Sequence, residues 1–228
     1  ELPPIFDQYA LHYNLIHTPA TPARTYTGII ALLHKDYDIL NQQNMIGGRL
    51  LLIECRHNST GETYKFSILY NPTPNQTRKI YITELICKLT EFHTGQDRNF
   101  ILGDFNFIDK EIDRAGKLTK ADKNWQYHWL PYLQNNELCD PFRTNNPSKR
   151  HYSFVSSQGK SRIDRLYVND DLLPHISHFK YTQTPIKTAH RVISFSINRE
   201  LNIGPGYWKL NNNTLKEPAY TRIVEKVI

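Results

Sequence analysis

Residues 99 to 106 read Asn99-Phe100-Ile101-Leu102-Gly103-Asp104-Phe105-Asn106, an apolar run that ends on a carboxylate and a carboxamide. The run reads as a strand. At its C-terminal end, side-chain alternation sends Asp104 and Asn106 to one face and Phe105 to the other. Gly103 admits a backbone angle or a close approach that other residues resist. An acid beside an amide can position and deprotonate a water. The same letters also suit an Asx-rich turn, and on their own they do not choose.

Outward from this stretch the periodicity alternates between strand and helix. Upstream, Arg78 to His93 carries Ile82, Leu85, Ile86 and Leu89 at helical spacing, with Thr77 placed to cap it. Before that come strand-like segments at 10–18, 27–34, 49–57 and 64–72; the second is apolar enough to be buried on both faces. Asn58-Ser59-Thr60-Gly61 joins the last two as an antiparallel hairpin. Downstream, 124–136 predicts a helix, with Pro131 arguing against an unbroken one. Further strands are expected at 150–156, 162–168, the segment ending near Tyr181, and 191–197. Helices set among strands in this order predict a layered α/β fold of two sheets packed face to face. From Leu201 the chain thins to Asn, Gly and Pro, which sets a domain at 1–200 and a linker at 201–228.

Composition narrows the function classes. The 228 residues carry 28 Lys+Arg and 22 Asp+Glu, a net charge of +6 that favours an anionic partner. Three cysteines without a CxxC pair argue against a disulfide scaffold and a cysteine zinc site. No apolar run approaches the roughly 20 residues that span a bilayer, and no secretion signal opens the chain; the expectation is an intracellular, nuclear or cytoplasmic protein that meets no membrane. Neither a Walker sequence, a GxGxxG nor an HExxH is present.

A second acid stands in Ser161-Arg162-Ile163-Asp164-Arg165-Leu166-Tyr167, inside an alternating strand where a lone carboxylate is costly. His190, just before the strand at 191–197, is a partner whose tautomer and basicity such an acid would set. The competing reading pairs Asp164 with Arg162 or Arg165 and leaves His190 in a loop. Tyr70 ends a strand, where it either contacts a phosphate or packs. Asp113-Arg114 reads equally as a surface pair. Lys149-Arg150-His151 and Lys160-Ser161-Arg162 are basic clusters flanking 152–155, suited to phosphate contacts or to plain solvation.

In order, Leu69-Tyr70-Asn71-Pro72, the helix, Ile101-Leu102-Gly103-Asp104-Phe105-Asn106, Tyr152-Ser153-Phe154, Ser161-Arg162-Ile163-Asp164 and Ala189-His190 resemble the endonuclease/exonuclease/phosphatase superfamily over about residues 1–198. Within it the chain is most similar to the apurinic-like endonuclease domain of LINE-type (non-LTR) retrotransposons. Gly204-Pro205-Gly206-Tyr207-Trp208-Lys209-Leu210-Asn211 resembles the segment joining that domain to a downstream reverse transcriptase. The resemblance implies a DNase I-like four-layer α/β sandwich, two mostly antiparallel sheets flanked by helices. It implies a Mg²⁺-dependent endonuclease (Mn²⁺ substituting) that nicks double-stranded DNA and leaves a 3′-hydroxyl. By the same resemblance Asp104 aligns or deprotonates the water, Asn106 holds water and phosphate, Asp164 pairs with His190, and His190 and Tyr70 contact the scissile phosphate. Ser153, Arg114, Lys149, Arg150, Lys160 and Arg162 are expected along the DNA, and Glu1 falls near the family's metal-binding glutamate. Where the family has Ser-Asp-His, this chain has Thr188-Ala189-His190, a lost carboxylate that implies weakened or absent cleavage. Two other readings therefore stand beside the nuclease: a small-molecule phosphatase of the same superfamily, and a DNA-binding remnant without turnover.

Overall fold

The computed structural model describes residues 4–18, 28–73, 79–95, 98–157 and 159–198. Twelve strands and three helices are found among them. A six-stranded sheet is ordered β3-β4-β5-β6-β10-β7, where β3 is Tyr37–Met45, β4 Leu50–His57, β5 Thr63–Tyr70, β6 Arg98–Asp104, β7 Leu138–Cys139 and β10 Asp164–Asn169. All its pairings are antiparallel except β5 with β6, which α1 (Lys79–Phe92) connects as a β-α-β crossover. The predicted hairpin through residues 58–61 joins β4 to β5.

Strand β4 shows how the layers form. Leu50 and Leu52 point to one face with Leu69, Ile101, Phe105 and Tyr167, and there α1 and α2 (Lys120–Asn135) bury Ile82, Leu85, Leu89, Trp125 and Trp129. Leu51, Ile53 and Cys55 point to the other, with Tyr64, Phe100, Leu166 and Val168. Two hairpins cover that second face: β1 (Tyr13–His17) with β2 (Ile30–His34), and β11 (Ile176–Thr182) with β12 (Val192–Ile197), contributing Ile16, Ile176 and Phe195. The fold is thus a mixed α/β sandwich of two β layers with helices outside the larger sheet. The calls at Thr77 and 201–228 lie outside the described residues.

Several local expectations change. Strand β2 is not buried on both faces, since Ile30 and Leu32 are 46% and 37% exposed on the outer hairpin; β4 is the doubly buried strand. Helix α2 runs unbroken through Pro131. The carbonyl that loses its helical partner belongs to Tyr127, on the solvent side, while Trp125, Trp129, Tyr132 and Leu133 anchor the opposite face. The strand expected at 150–156 is confined to β8 (Phe154–Ser156), paired with β9 (Gly159–Ser161). Short α3 (Pro141–Asn145) follows β7.

Candidate active site

Adjacent strand ends of the six-stranded sheet assemble the site. Asp104, last in β6, lies opposite Asp164, first in β10, and level with Tyr70, last in β5. Gly103 makes the approach feasible. Its φ is +134°, and a Cβ there would fall 2.0 Å from the Leu69 carbonyl oxygen. Phe105 turns inward against Trp129 and Tyr167. Asn106, at φ +55°, folds back so that its backbone and side-chain N–H groups donate to the two Asp104 oxygens at 2.9 and 3.0 Å. Asn and Asp tolerate this left-handed backbone better than other side chains.

His190 closes the group. Its Nδ1 lies 3.1 and 3.0 Å from the two Asp164 oxygens, and its ring stands edge-on to Phe154 at 4.9 Å. Ligand atoms of Asp104, Asp164 and His190 all fall within 4.8 Å of one another. Burial and the neighbouring Asp164 push the Asp104 carboxyl up to about 7. The hydrogen bond that His190 donates to Asp164 raises its imidazole above the ordinary value. Two facing carboxyls, with only an imidazole as counter-charge within the group, form a hard-oxygen donor set deficient in positive charge, and a divalent cation fits that chemistry. Beside the acids a cavity of about 210 Å³ is lined by Leu102, Leu166, Arg191, Ile193 and Phe195.

The other expected residues divide. Tyr70 stands at the site, half-buried, under the Arg49 guanidinium at 5.2 Å. Lys149, Arg150 and Lys160 are exposed. Arg162 is not at the surface: its side chain is 1% exposed and pairs with Asp113 at 2.8 Å and Asp140 at 2.7 Å. Asp113 is correspondingly no surface partner of Arg114 but is buried between Arg162 and Arg143, which together hold its carboxyl below the usual range against the cost of burial. Arg114 instead bonds Asp122, the residue that completes the capping box of α2, at 2.9 Å. Arg165 is buried against Asp109 and lies over Phe105 and Phe107, each at 4.6 Å. Neither arginine of the SRIDR stretch pairs with Asp164. Ser153 is fully buried rather than facing a groove. Glu1 lies outside the described residues.

Sequence reading passed over Asn71 and Arg49. Asn71 is buried; its N–H donates to the Asp104 carbonyl at 2.9 Å, its carbonyl accepts from the Asn106 amide at 2.7 Å, and its side chain donates to the Phe105 carbonyl at 3.2 Å. The signal was an Asn directly after a strand and before Pro72. Arg49 donates to the Tyr70 carbonyl at 3.1 Å, and its signal was a cation directly after Gly47-Gly48.

No family model matches the sequence. Solved structures do. AP endonuclease LMAP from Leishmania major superposes with TM-score 0.67 at 14% identity, covering 82% of this chain and 71% of that one. The endonuclease domain of TRAS1, a telomere-specific non-LTR retrotransposon, gives 0.62 at 16%, covering 82% and 78%. A 3′ phosphatase, NExo, from Neisseria, solved with product DNA hairpin, gives 0.64 at 14%, covering 87% and 84%. With its six-stranded sheet and second β layer, this chain shares the DNase I-like α/β sandwich fold of these structures.

Proposed function

We propose that residues 1–200 form the DNA endonuclease domain of a non-LTR retrotransposon and that 201–228 are a linker toward a reverse transcriptase. The observation that carries this reading is the convergence of Asp104, Asp164 and His190 at one rim. Exposed Lys149, Arg150 and Lys160 add support, being suited to the phosphates of double-stranded DNA. The likeness to a retrotransposon endonuclease and to two other DNA-processing folds points the same way.

In this reading Glu1 and, through a bound water, Asp104 would hold Mg²⁺. When bound, that ion supplies charge neutralisation at the phosphate and at the leaving 3′ oxygen. The protein's own groups do the rest. Asn106 fixes the Asp104 carboxyl and faces water and phosphate. Asp104 accepts the proton of the attacking water. As the water oxygen bonds to phosphorus, the P–O3′ bond breaks and the departing oxygen takes a proton from solvent, leaving a 3′-hydroxyl and a 5′-phosphate. Asp164 keeps Nδ1 of His190 protonated, so Nε2 or the imidazolium faces the phosphate. Tyr70, level with Asp104, adds its hydroxyl.

Ala189 sets the expected rate. Its carbonyl accepts the Val155 N–H at 2.9 Å, which fixes the segment without supplying a charge. Nicking by the chain as it stands is therefore expected to be weak, and Ala189→Asp is expected to raise it by about 10-fold or more. The test is nicking of supercoiled plasmid in Mg²⁺ with an EDTA control, for both forms. Equal rates would remove position 189 from the machinery. Selective release of inorganic phosphate from small phosphorylated compounds would replace the reading with a phosphatase. DNA binding without turnover in both forms would leave a remnant.

A further inference from the structure

Every hydrogen-bonding group described for Ser153 is engaged inside the protein. Its hydroxyl oxygen accepts the N–H groups of two successive residues, Ile163 at 3.0 Å and Asp164 at 2.9 Å. Its own N–H donates to the Ser161 carbonyl at 3.0 Å, and its carbonyl accepts the Arg191 N–H at 2.7 Å. One residue, wholly buried, thus ties three segments together: its hydroxyl holds the turn that launches β10, while its backbone, at the entry to β8, holds the residue after His190. The next residue, Phe154, is bridged to His190 and packs on its ring. The imidazole is therefore held from two sides, by Asp164 and by Phe154, and both supports hang from Ser153.

We propose that Ser153 is a positioning residue, which sets the Asp164 carboxylate against His190 Nδ1 without touching substrate. The inference rests on the reading of Asp164 and His190 as the working pair. The chemistry is particular to a hydroxyl. Two N–H groups one residue apart converge on one point at the start of β10, and a single oxygen with two lone pairs serves both. Without it, two buried donors lose their acceptor, and the turn must move to find others. Asp164 meets Nδ1 with both oxygens at nearly equal distance, so a small shift of the turn unbalances the pair. Displacements of about 1 Å in such a constellation cost on the order of 100-fold in rate.

The experiment reads the histidine directly. In the metal-free 228-residue chain, long-range ¹⁵N–¹H correlation of the His190 ring at alkaline pH should show the Nδ1–H tautomer pinned by Asp164. Ser153→Thr, which keeps the oxygen, should preserve that pattern, and Ser153→Ala should shift it toward the Nε2–H form that free imidazole favours. In the unsubstituted chain, the Ile163 and Asp164 amides should exchange with solvent about 100-fold or more slower than unstructured peptide. If Ser153→Ala does not fold, these two amides decide: protection supports the role and exchange at the peptide rate overturns it. A His190 pattern unchanged in folded Ser153→Ala also overturns it. Nicking is a separate arm. Full nicking in Ser153→Ala despite a shifted tautomer would sink the working-pair reading and leave the positioning geometry standing.

Discussion

Two regions of this molecule concentrate charge, and they treat it in opposite ways. Behind the sheet end, Asp113, Asp140, Arg143 and Arg162 form a closed network in which each acid faces a guanidinium and every side chain is 8% exposed or less. At the rim, Asp104 and Asp164 face each other, with a half-exposed histidine bonded to one of them. The first region is neutral and buried, and its charges serve the fold. The second is short of positive charge and only partly buried, so its carboxyls remain available to a cation, a water or a phosphate. Charge balance, more than charge density, separates scaffold from site here.

The sharpest break in that comparison is His190→Ala, measured in the Ala189→Asp background where cleavage is measurable. Nicking should fall by roughly 100- to 10,000-fold, while urea unfolding moves by less than about 1 kcal/mol. A large stability loss would return the histidine to the scaffold. The mirror experiment is Arg162→Met. It strands Asp113 and Asp140 without their shared guanidinium and should lower stability by about 3–5 kcal/mol. A near-neutral effect would mean that the network is not what holds the SRID turn.

A smaller effect concerns pH. Asp104 is raised in the folded protein from 3.8 to about 7, so between these values the native state binds more protons than the unfolded chain. Stability should therefore fall as pH rises from about 4 to 7, with the penalty fully present above 7. His190, also raised, works in the same sense, because its contribution is lost as pH climbs through its folded value. Asp104→Asn should add about 1–2 kcal/mol at pH 7.5 and flatten that slope in thermal melts taken across the range. An unchanged slope would show that Asp104 is not raised in the folded protein. The smallest change is expected from neutralising Lys149, Arg150 and Lys160 together. DNA affinity should fall by a similar factor for unrelated sequences, and the salt dependence should flatten by about 0.9 for each lost phosphate contact. Unaltered slopes would make these residues ordinary solvated surface.

The same contrast explains what could be read from the sequence. Strands β4, β5, β6 and β10 announce themselves because burial demands apolar residues, and α1 because its buried face repeats at helical spacing. Strand β3 was passed over: Asn41, Gln42, Gln43 and Asn44 look like loop, yet they sit on an edge strand whose partner, β4, supplies the burial. At the rim, the acid–amide pair and the acid–histidine pair could be singled out from the letters but not decided by them, since an Asx-rich turn and a pairing of Asp164 with Arg162 or Arg165 suit the same residues. The arginines were not legible. A guanidinium bound for a buried ion pair and one bound for DNA are written with the same letter, and only the partners found by folding distinguish Arg162 from Arg150. Ser153 and Asn71 were opaque for a related reason: they act through backbone groups, which no side-chain pattern records.

Gly103 carries a last consequence. Because a single added carbon would collide with the Leu69 carbonyl, the chains of β5 and β6 meet there with no side chain between them. The offset between Tyr70 and Asp104 is then fixed by peptide geometry, which no repacking of the core can alter. Side chains elsewhere can drift, and helices can shift on their greasy bed, while these two groups keep the same gauge. The molecule has built its ruler out of main chain.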